Sequence, residues 1–185
     1  MTYGNKPGGY SGYHKALHWL VALSVLTTVP VAFAMGRATP GPLQDNLYNF
    51  HKSLGVTILI LMVLRIVSRV TSGAPAPEPS LNRLQRAASS AVHGLLYLLL
   101  ILMPINGYVA NSLFGATTPV FGVFEIPPLF AKNEALANSI FTVHRLMGFA
   151  VIALAAIHIA AALQHYFIRR DGVLQRMLPR ALGGV

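Results

Sequence analysis

Three histidines interrupt the most apolar stretch of the chain, between residues 138 and 168: His144, His158 and His165. In an α-helix, the fourteen residues from His144 to His158 give ~21 Å of rise and ~1400° of rotation, only ~40° short of four full turns. Both imidazoles therefore lie on one helix face at two depths, and His165 follows seven residues later on that face. Imidazole is costly inside an apolar span, which indicates a liganded or functional role. Two imidazoles at two depths predict ligands for two stacked haems.

Four apolar stretches must position these histidines. They cover residues 13–35, 48–70, 89–113 and 138–168, and each has about 20 residues or more, enough to cross ~30 Å of hydrocarbon. The 185 residues are 54% hydrophobic and 10% charged, which is too apolar for a typical soluble domain. We therefore predict a single all-α domain, an integral membrane four-helix bundle surrounded by the lipid bilayer.

The basic residues indicate the orientation of the bundle. The formal net charge is +9, but the basic residues flank the spans and form no stripe of their own, which argues against nucleic-acid binding. In an even-numbered bundle, the termini and the second connection share one side, and ten of the fourteen basic residues lie there. The positive-inside rule makes that side cytoplasmic, with both termini inside. The ten are Lys6, Lys15, Arg65, Arg69, Arg83, Arg86, Arg169, Arg170, Arg176 and Arg180.

The alternating direction of the spans sorts the histidines by depth. His51 opens the second span and His144 the fourth, both from the outside, so they form an outer pair. His18 lies just inside the cytoplasmic start of the first span and shares its depth with His158, so these two form an inner pair. Ligation by two histidines saturates an iron and suits electron transfer. Depth alone also allows His93 to replace His158 or His18.

Other roles remain open for several of these side chains. One intramembrane histidine can equally serve as a helix–helix hydrogen bond, although four at matched depths favour iron ligation. His14 is expected at headgroup level, and for His93 and His165 both polar packing and a ligand-binding site are possible. Three methionines inside the spans are expected to pack rather than to bind iron: Met62, Met103 and Met147.

Basic residues lie beside the predicted ligands. Lys52 follows His51 and Arg145 follows His144, so both can pair with the propionates of an outer haem or snorkel to the interface. A positive outer mouth would also attract a small periplasmic anion. On the inner side, the candidates for propionate binding are Lys15, Arg65 and Arg69. The chain has no cysteine, which excludes cysteine-ligated iron–sulfur clusters and covalent c-type haem.

With these residues, the chain resembles the bacterial cytochrome b561 family, which is similar to the cytochrome b subunits of nickel–iron hydrogenases. The resemblance covers roughly residues 13–180. Its tail is the most particular match and resembles small stand-alone members, one of which is a superoxide oxidase of the bacterial inner membrane. The matching residues are His18-Trp19-Leu20, His51, Gly55, Leu64-Arg65, His93, Tyr97, His144, Gly148, His158, His165-Tyr166-Phe167 and Leu174-Gln175-Arg176-Met177-Leu178-Pro179-Arg180.

The resemblance implies two haem b groups, one on the outer pair and one on the inner pair. It implies electron exchange with ubiquinone and, for the superoxide oxidase, electron flow from superoxide through the outer haem to the quinone. His93 and His165 match non-ligand histidines of that protein, which implies quinone contact or proton delivery. Two other functions stay possible: a cytochrome b subunit that links a dehydrogenase or periplasmic redox protein to the quinone pool, and a haem-free transporter or assembly factor.

Overall fold

The computed structural model describes residues 9–73, 75, 76 and 78–184. Its elements are four long helices, a two-stranded hairpin between the third and fourth, and two short helical turns near the end. They are α1 (Gly12–Met35), α2 (Pro42–Ser72), α3 (Arg83–Leu113), β1 (Thr118–Val120), β2 (Phe124–Ile126), α4 (Glu134–Gln164), a π-helical turn (His165–Arg169) and a 3-10 turn (Arg180–Leu182). All four long helices are long and apolar enough to cross a membrane. The predicted all-α membrane bundle is confirmed.

Three of the four helices begin well before the apolar spans predicted from the sequence. Pro42 opens α2, as expected for a residue whose missing N–H costs nothing in the first turn. A capping box between Asn82 and Gln85 starts α3, and the Asn133 side chain caps α4. Capping residues, rather than hydrophobicity, therefore set where these helices begin.

The helices pack in sequence order around a small apolar core. α1 lies along α2, α3 lies along α4, and α2 contacts α3. Val21, Ile58 and Met62 form the buried centre, with Tyr97 packed against it. Met62 is 1% exposed, in agreement with its predicted packing role. Large apolar side chains such as Leu23 point outward, as expected where lipid rather than water surrounds the bundle.

The two ends of the bundle differ, and we name them by what they carry. At the terminal end, the Trp19 indole donates to the Met177 carbonyl (2.9 Å), and the Tyr10 N–H donates to the Arg176 carbonyl (3.2 Å). The Arg176 guanidinium also donates to the carbonyl of Ala76 (2.7 Å). The C-terminal tail is therefore docked on the start of α1 and on the α2–α3 connection. The opposite end carries the β-hairpin, and we call it the hairpin end.

The β-hairpin is closed by a tight turn. Val120 pairs with Phe124, and the two central turn residues, Phe121 and Gly122, have φ values of 50° and 70°. Positive φ at both positions is typical of turns that close β-hairpins, and the Val123 N–H donates to the Val120 carbonyl at 3.0 Å. The connection between α3 and α4 therefore contains regular structure.

Two polar side chains anchor the hairpin to the bundle. Buried Ser53 of α2 places its hydroxyl 3.1 Å from the Pro119 carbonyl, and the same oxygen accepts from the Phe121 N–H at 2.9 Å. The Asn111 amide of α3 donates to the carbonyls of Ala116 and Thr117, both at 3.0 Å. Backbone groups of the hairpin segment are thus satisfied by side chains of two helices.

Candidate functional site

The outer pair lies where α2 and α4 face each other near the hairpin end. The ring centres of His51 and His144 are 6.2 Å apart, and the ring planes are inclined at 75°. Sequence reasoning predicted that these two residues share a depth, and the structure brings them together.

Helix α3 sets the position of His144 from the side. The Nδ1 atom of His144 lies 3.2 Å from the Met103 carbonyl, and because a carbonyl only accepts, Nδ1 carries the hydrogen. The lone pair of this neutral imidazole is then on Nε2, the form that binds a metal. At Gly107, an added Cβ would lie 2.9 Å from the His144 Cε1 atom. The absence of a side chain at Gly107 is therefore what admits the ring.

Three histidines meet nearer the terminal end. The ring centres of His18 from α1 and His158 from α4 are 6.1 Å apart, and His93 from α3 lies 5.1 Å from His158. The Nδ1 of His93 donates to the Ser89 carbonyl at 2.6 Å, which leaves its Nε2 as an acceptor. The inner pair predicted from depth is present, and the competing residue, His93, lies beside it.

Arg65 lies within this inner cluster. Its Nε donates to the Tyr97 hydroxyl at 2.7 Å, and a terminal nitrogen lies 2.8 Å from the His18 Nδ1. Guanidinium has no acceptor, so His18 Nδ1 accepts and its Nε2 carries the hydrogen. To present an Nε2 lone pair to iron, His18 must exchange Arg65 for a hydrogen-bond acceptor. From the sequence we predicted that Arg65 contacts a haem propionate. In the structure its guanidinium instead contacts His18, a candidate iron ligand.

His165 forms a partly buried pair with a residue that sequence reasoning missed. Its Nδ1 lies 2.5 Å from an Asp171 carboxylate oxygen, and the two side chains are 14% and 9% exposed. Asp171 lies beyond the end of α4, outside any helical periodicity. The sequence offered one signal for Asp171. It is one of only five acidic residues in the chain, and it directly follows the basic pair Arg169-Arg170.

The predicted basic residues occupy both ends. Lys52 is half-buried with Glu125 of β2 as an acidic neighbour, and Arg145 is exposed. Lys15 is buried in α1. In the loop before α4, hydrogen bonding to Glu134 raises the pKa of Lys132 and keeps it cationic. The hairpin end therefore presents cations close to the outer pair.

His14 joins two helices at the terminal end. Its ring nitrogens lie 2.7 Å from the Ser11 hydroxyl and 3.0 Å from the Ser68 hydroxyl of α2. These two contacts use both nitrogens, so His14 belongs to a polar helix–helix contact outside the paired histidines.

Comparison with known proteins shows which family the chain belongs to. The model of the family described as prokaryotic cytochrome b561 matches residues 9–180. The chain belongs to this family. Cytochrome b561 homolog 2 of Escherichia coli (strain K12) is 33% identical over 185 residues, which cover 98% of this chain and 97% of that protein. The protein named probable superoxide oxidase CybB of Yersinia pestis is 29% identical over 174 residues, 94% of this chain and 98% of that protein.

As a cytochrome b561, the chain is a bacterial membrane cytochrome b, for which b-type haem is the expected cofactor. The imidazole spacing fits this group. Metal–nitrogen bonds of about 2 Å on both faces of one iron place two imidazole centres roughly 6 Å apart. The outer pair at 6.2 Å and the inner pair at 6.1 Å have this separation, whereas His93 and His158 at 5.1 Å are too close.

Proposed function

We propose that this cytochrome b561 holds two haem b groups and passes electrons from superoxide to ubiquinone. The observation that carries the proposal is the presence of two imidazole pairs, each with the spacing of a bis-histidine iron site, at two levels along α4. His51 and His144 would hold one haem, and His18 and His158 the other. When bound, the haems supply one-electron transfer, which the side chains of this protein lack.

Reduction of one ubiquinone to ubiquinol requires two electrons, which two superoxide ions supply. Each loses one electron and becomes dioxygen, and ubiquinone takes up two electrons and two protons to become ubiquinol. The name of the Yersinia pestis relative supports this reaction at 29% identity over nearly the whole chain.

The hairpin end has the charge that an anionic donor requires. Lys52 and Arg145 each follow a residue of the outer pair, and a cationic mouth raises the encounter rate of a small anion. The same cations are placed to balance the propionates of an outer haem. One charge can serve both purposes, because steering acts over a distance and propionate pairing acts in contact.

The terminal end offers hydrogen-bonding groups for a quinone. His93 has its Nε2 free of the Ser89 contact, and His165 lies ~10 Å beyond His158 along the helix axis. We assign these two histidines to quinone contact and proton delivery. Lys15 and Arg65 supply positive charge on the same side for the inner haem propionates.

The location that follows is the inner membrane, with both termini in the cytoplasm. Ten of the fourteen basic residues support this orientation, of which Lys6 lies outside the described residues. A reporter active only in the cytoplasm, fused after residue 185, should be active. An active periplasmic reporter at the same position would reverse the orientation.

Two measurements test the function. A pyridine haemochrome assay should give two haem b per chain, and stopped-flow mixing of oxidised protein with superoxide should reduce them before ubiquinone-1 re-oxidises them. Two haems that superoxide does not reduce would refute the superoxide reaction and favour a cytochrome b subunit with a protein donor. A colourless protein would refute both.

A further inference from the structure

His165 and Asp171 form a hydrogen-bonded pair beside Arg169 at the terminal end. His165 Nδ1 donates to Asp171 Oδ2 at 2.5 Å, and the Arg169 Nε lies farther away, 3.6 Å from the same oxygen. The remaining acidic residue at this end, Glu78, faces Arg176 at 4.0 Å. Although arginines lie nearby, the shortest side-chain contact of the Asp171 carboxylate is with the His165 imidazole.

The backbone around this pair departs from regular helix. Residues His165–Arg169 form a π-helical turn, a feature that occurs often at functional sites. Arg170 follows with φ 52°, a left-handed conformation that non-glycine residues rarely adopt. This reversal brings Asp171 back onto His165, and the Val173 N–H donates to the other Asp171 oxygen at 3.3 Å. The two irregular features together create the contact.

The docked tail holds the pair in place. Arg169 donates to the Ser80 carbonyl at 3.5 Å, and Met177 accepts from Trp19 at 2.9 Å. These contacts tie the segment that contains Asp171 to α1 and to the α2–α3 connection. The segment that contains the carboxylate is therefore held against two other parts of the chain.

We infer that Asp171 positions His165 to deliver a proton to an oxygen of the reduced quinone. A carboxylate on Nδ1 fixes the tautomer and the orientation of the ring, as in other carboxylate–histidine pairs. The proton leaves His165 Nε2 for the quinone oxygen, and Nδ1 keeps its hydrogen bonded to Asp171. Water from the terminal end then re-protonates Nε2. The inference rests on the proposed function, because it presupposes quinone reduction at this end.

The test separates proton delivery from electron transfer. Purified protein carrying both haems is reduced with stoichiometric dithionite without oxygen, then mixed with ubiquinone-1 or, separately, with ferricyanide, which accepts an electron without a proton. Asp171→Asn should slow re-oxidation by ubiquinone-1 at least about tenfold and leave the ferricyanide rate unchanged. The solvent deuterium isotope effect with ubiquinone-1 should increase, because proton delivery becomes limiting.

Three further variants sharpen the comparison. His165→Gln should reproduce the loss, and its combination with Asp171→Asn should add little, because the two residues act as one unit. Asp171→Glu should restore part of the rate. Glu78→Gln is the matched control, since it removes the other carboxylate of the terminal end, and it should behave as wild type.

The outcomes that overturn the inference are distinct from those that overturn the function. If Asp171→Asn is re-oxidised by ubiquinone-1 at the wild-type rate, or if its rates with both oxidants fall equally, the role of Asp171 in proton delivery is refuted. The proposed function is not affected by either result. Reduced wild-type protein that ubiquinone-1 does not re-oxidise eliminates the proposed function and this inference with it.

Discussion

Gly107 is the position where one added methyl group should damage the outer site selectively. In Gly107→Ala, the Cβ would lie 2.9 Å from His144 Cε1 and 3.2 Å from its Nδ1, whereas ordinary contacts begin at 3.4 Å. The ring must move by about 0.5 Å to restore normal contact. That movement acts on the same ring nitrogen that bonds the Met103 carbonyl at 3.2 Å.

The expected size of the effect follows from overpacking of a filled site. Inserting one methyl group into a packed interior typically costs about 1–3 kcal/mol. If this cost falls on the haem-bound state, the affinity of the outer site decreases about 5- to 150-fold. The inner site should be unaffected, because His158 is fourteen residues from His144 on α4.

The assay is haem content per chain combined with a potentiometric titration of the two haems. Gly107→Ala should lose part or all of one haem, or shift the potential of one haem only. Gly94→Ala is the control in the same helix, since its Cβ would meet nothing within 4 Å. Two fully occupied haems with wild-type potentials in Gly107→Ala would refute the role of this glycine.

Further predictions concern both ends of the bundle. His18→Ala should leave one haem, whereas His93→Ala should keep two and slow re-oxidation by ubiquinone-1; both are measured by haemochrome assay and stopped flow. Replacing Lys52 and Arg145 together with alanine should lower the rate constant for superoxide about tenfold and flatten its salt dependence. Ser53→Ala should lower the free energy of unfolding by about 1 kcal/mol, because it removes the acceptor of the Phe121 N–H in the hairpin, and it should speed proteolysis in the hairpin.

The predictions on haem content and on the superoxide rate each have a control or a contradicting result. His14→Ala removes a histidine outside the pairs and should keep both haems. If His93→Ala loses one haem and His18→Ala keeps two, then His93 rather than His18 is the ligand of the inner haem. Lys132→Ala removes another cation of the hairpin end, and an effect as large as that of the double variant would argue against steering by Lys52 and Arg145.

Helical periodicity was enough to predict the two levels of histidines. The spacing of His144 and His158 depends only on the geometry of one helix, and span direction then brings His51 to the level of His144. The choice between His18 and His93 as partner of His158 was beyond this reasoning, because depth along the membrane normal contains no information on lateral distance. In the structure the ring centre of His158 lies 6.1 Å from that of His18 and 5.1 Å from that of His93, which supports His18 as the proposed ligand.

Long-range and irregular features were not predictable in the same way. Glycine at position 107 was visible in the sequence, but its contact with His144 depends on how α3 packs on α4. Asp171 meets His165 only because a π-helical turn and a left-handed Arg170 reverse the chain. The hairpin was not predicted, since strands of three residues are too short to show an alternating pattern.

The most direct measurement of the central claim is haem stoichiometry in wild type and in His51→Ala, by pyridine haemochrome against protein concentration. Two haems held by separate imidazole pairs predict two per chain in wild type and one in the variant, with the remaining haem at wild-type potential. One haem or none in wild type, or two in His51→Ala, would contradict the assignment of His51 and His144 to a haem of their own.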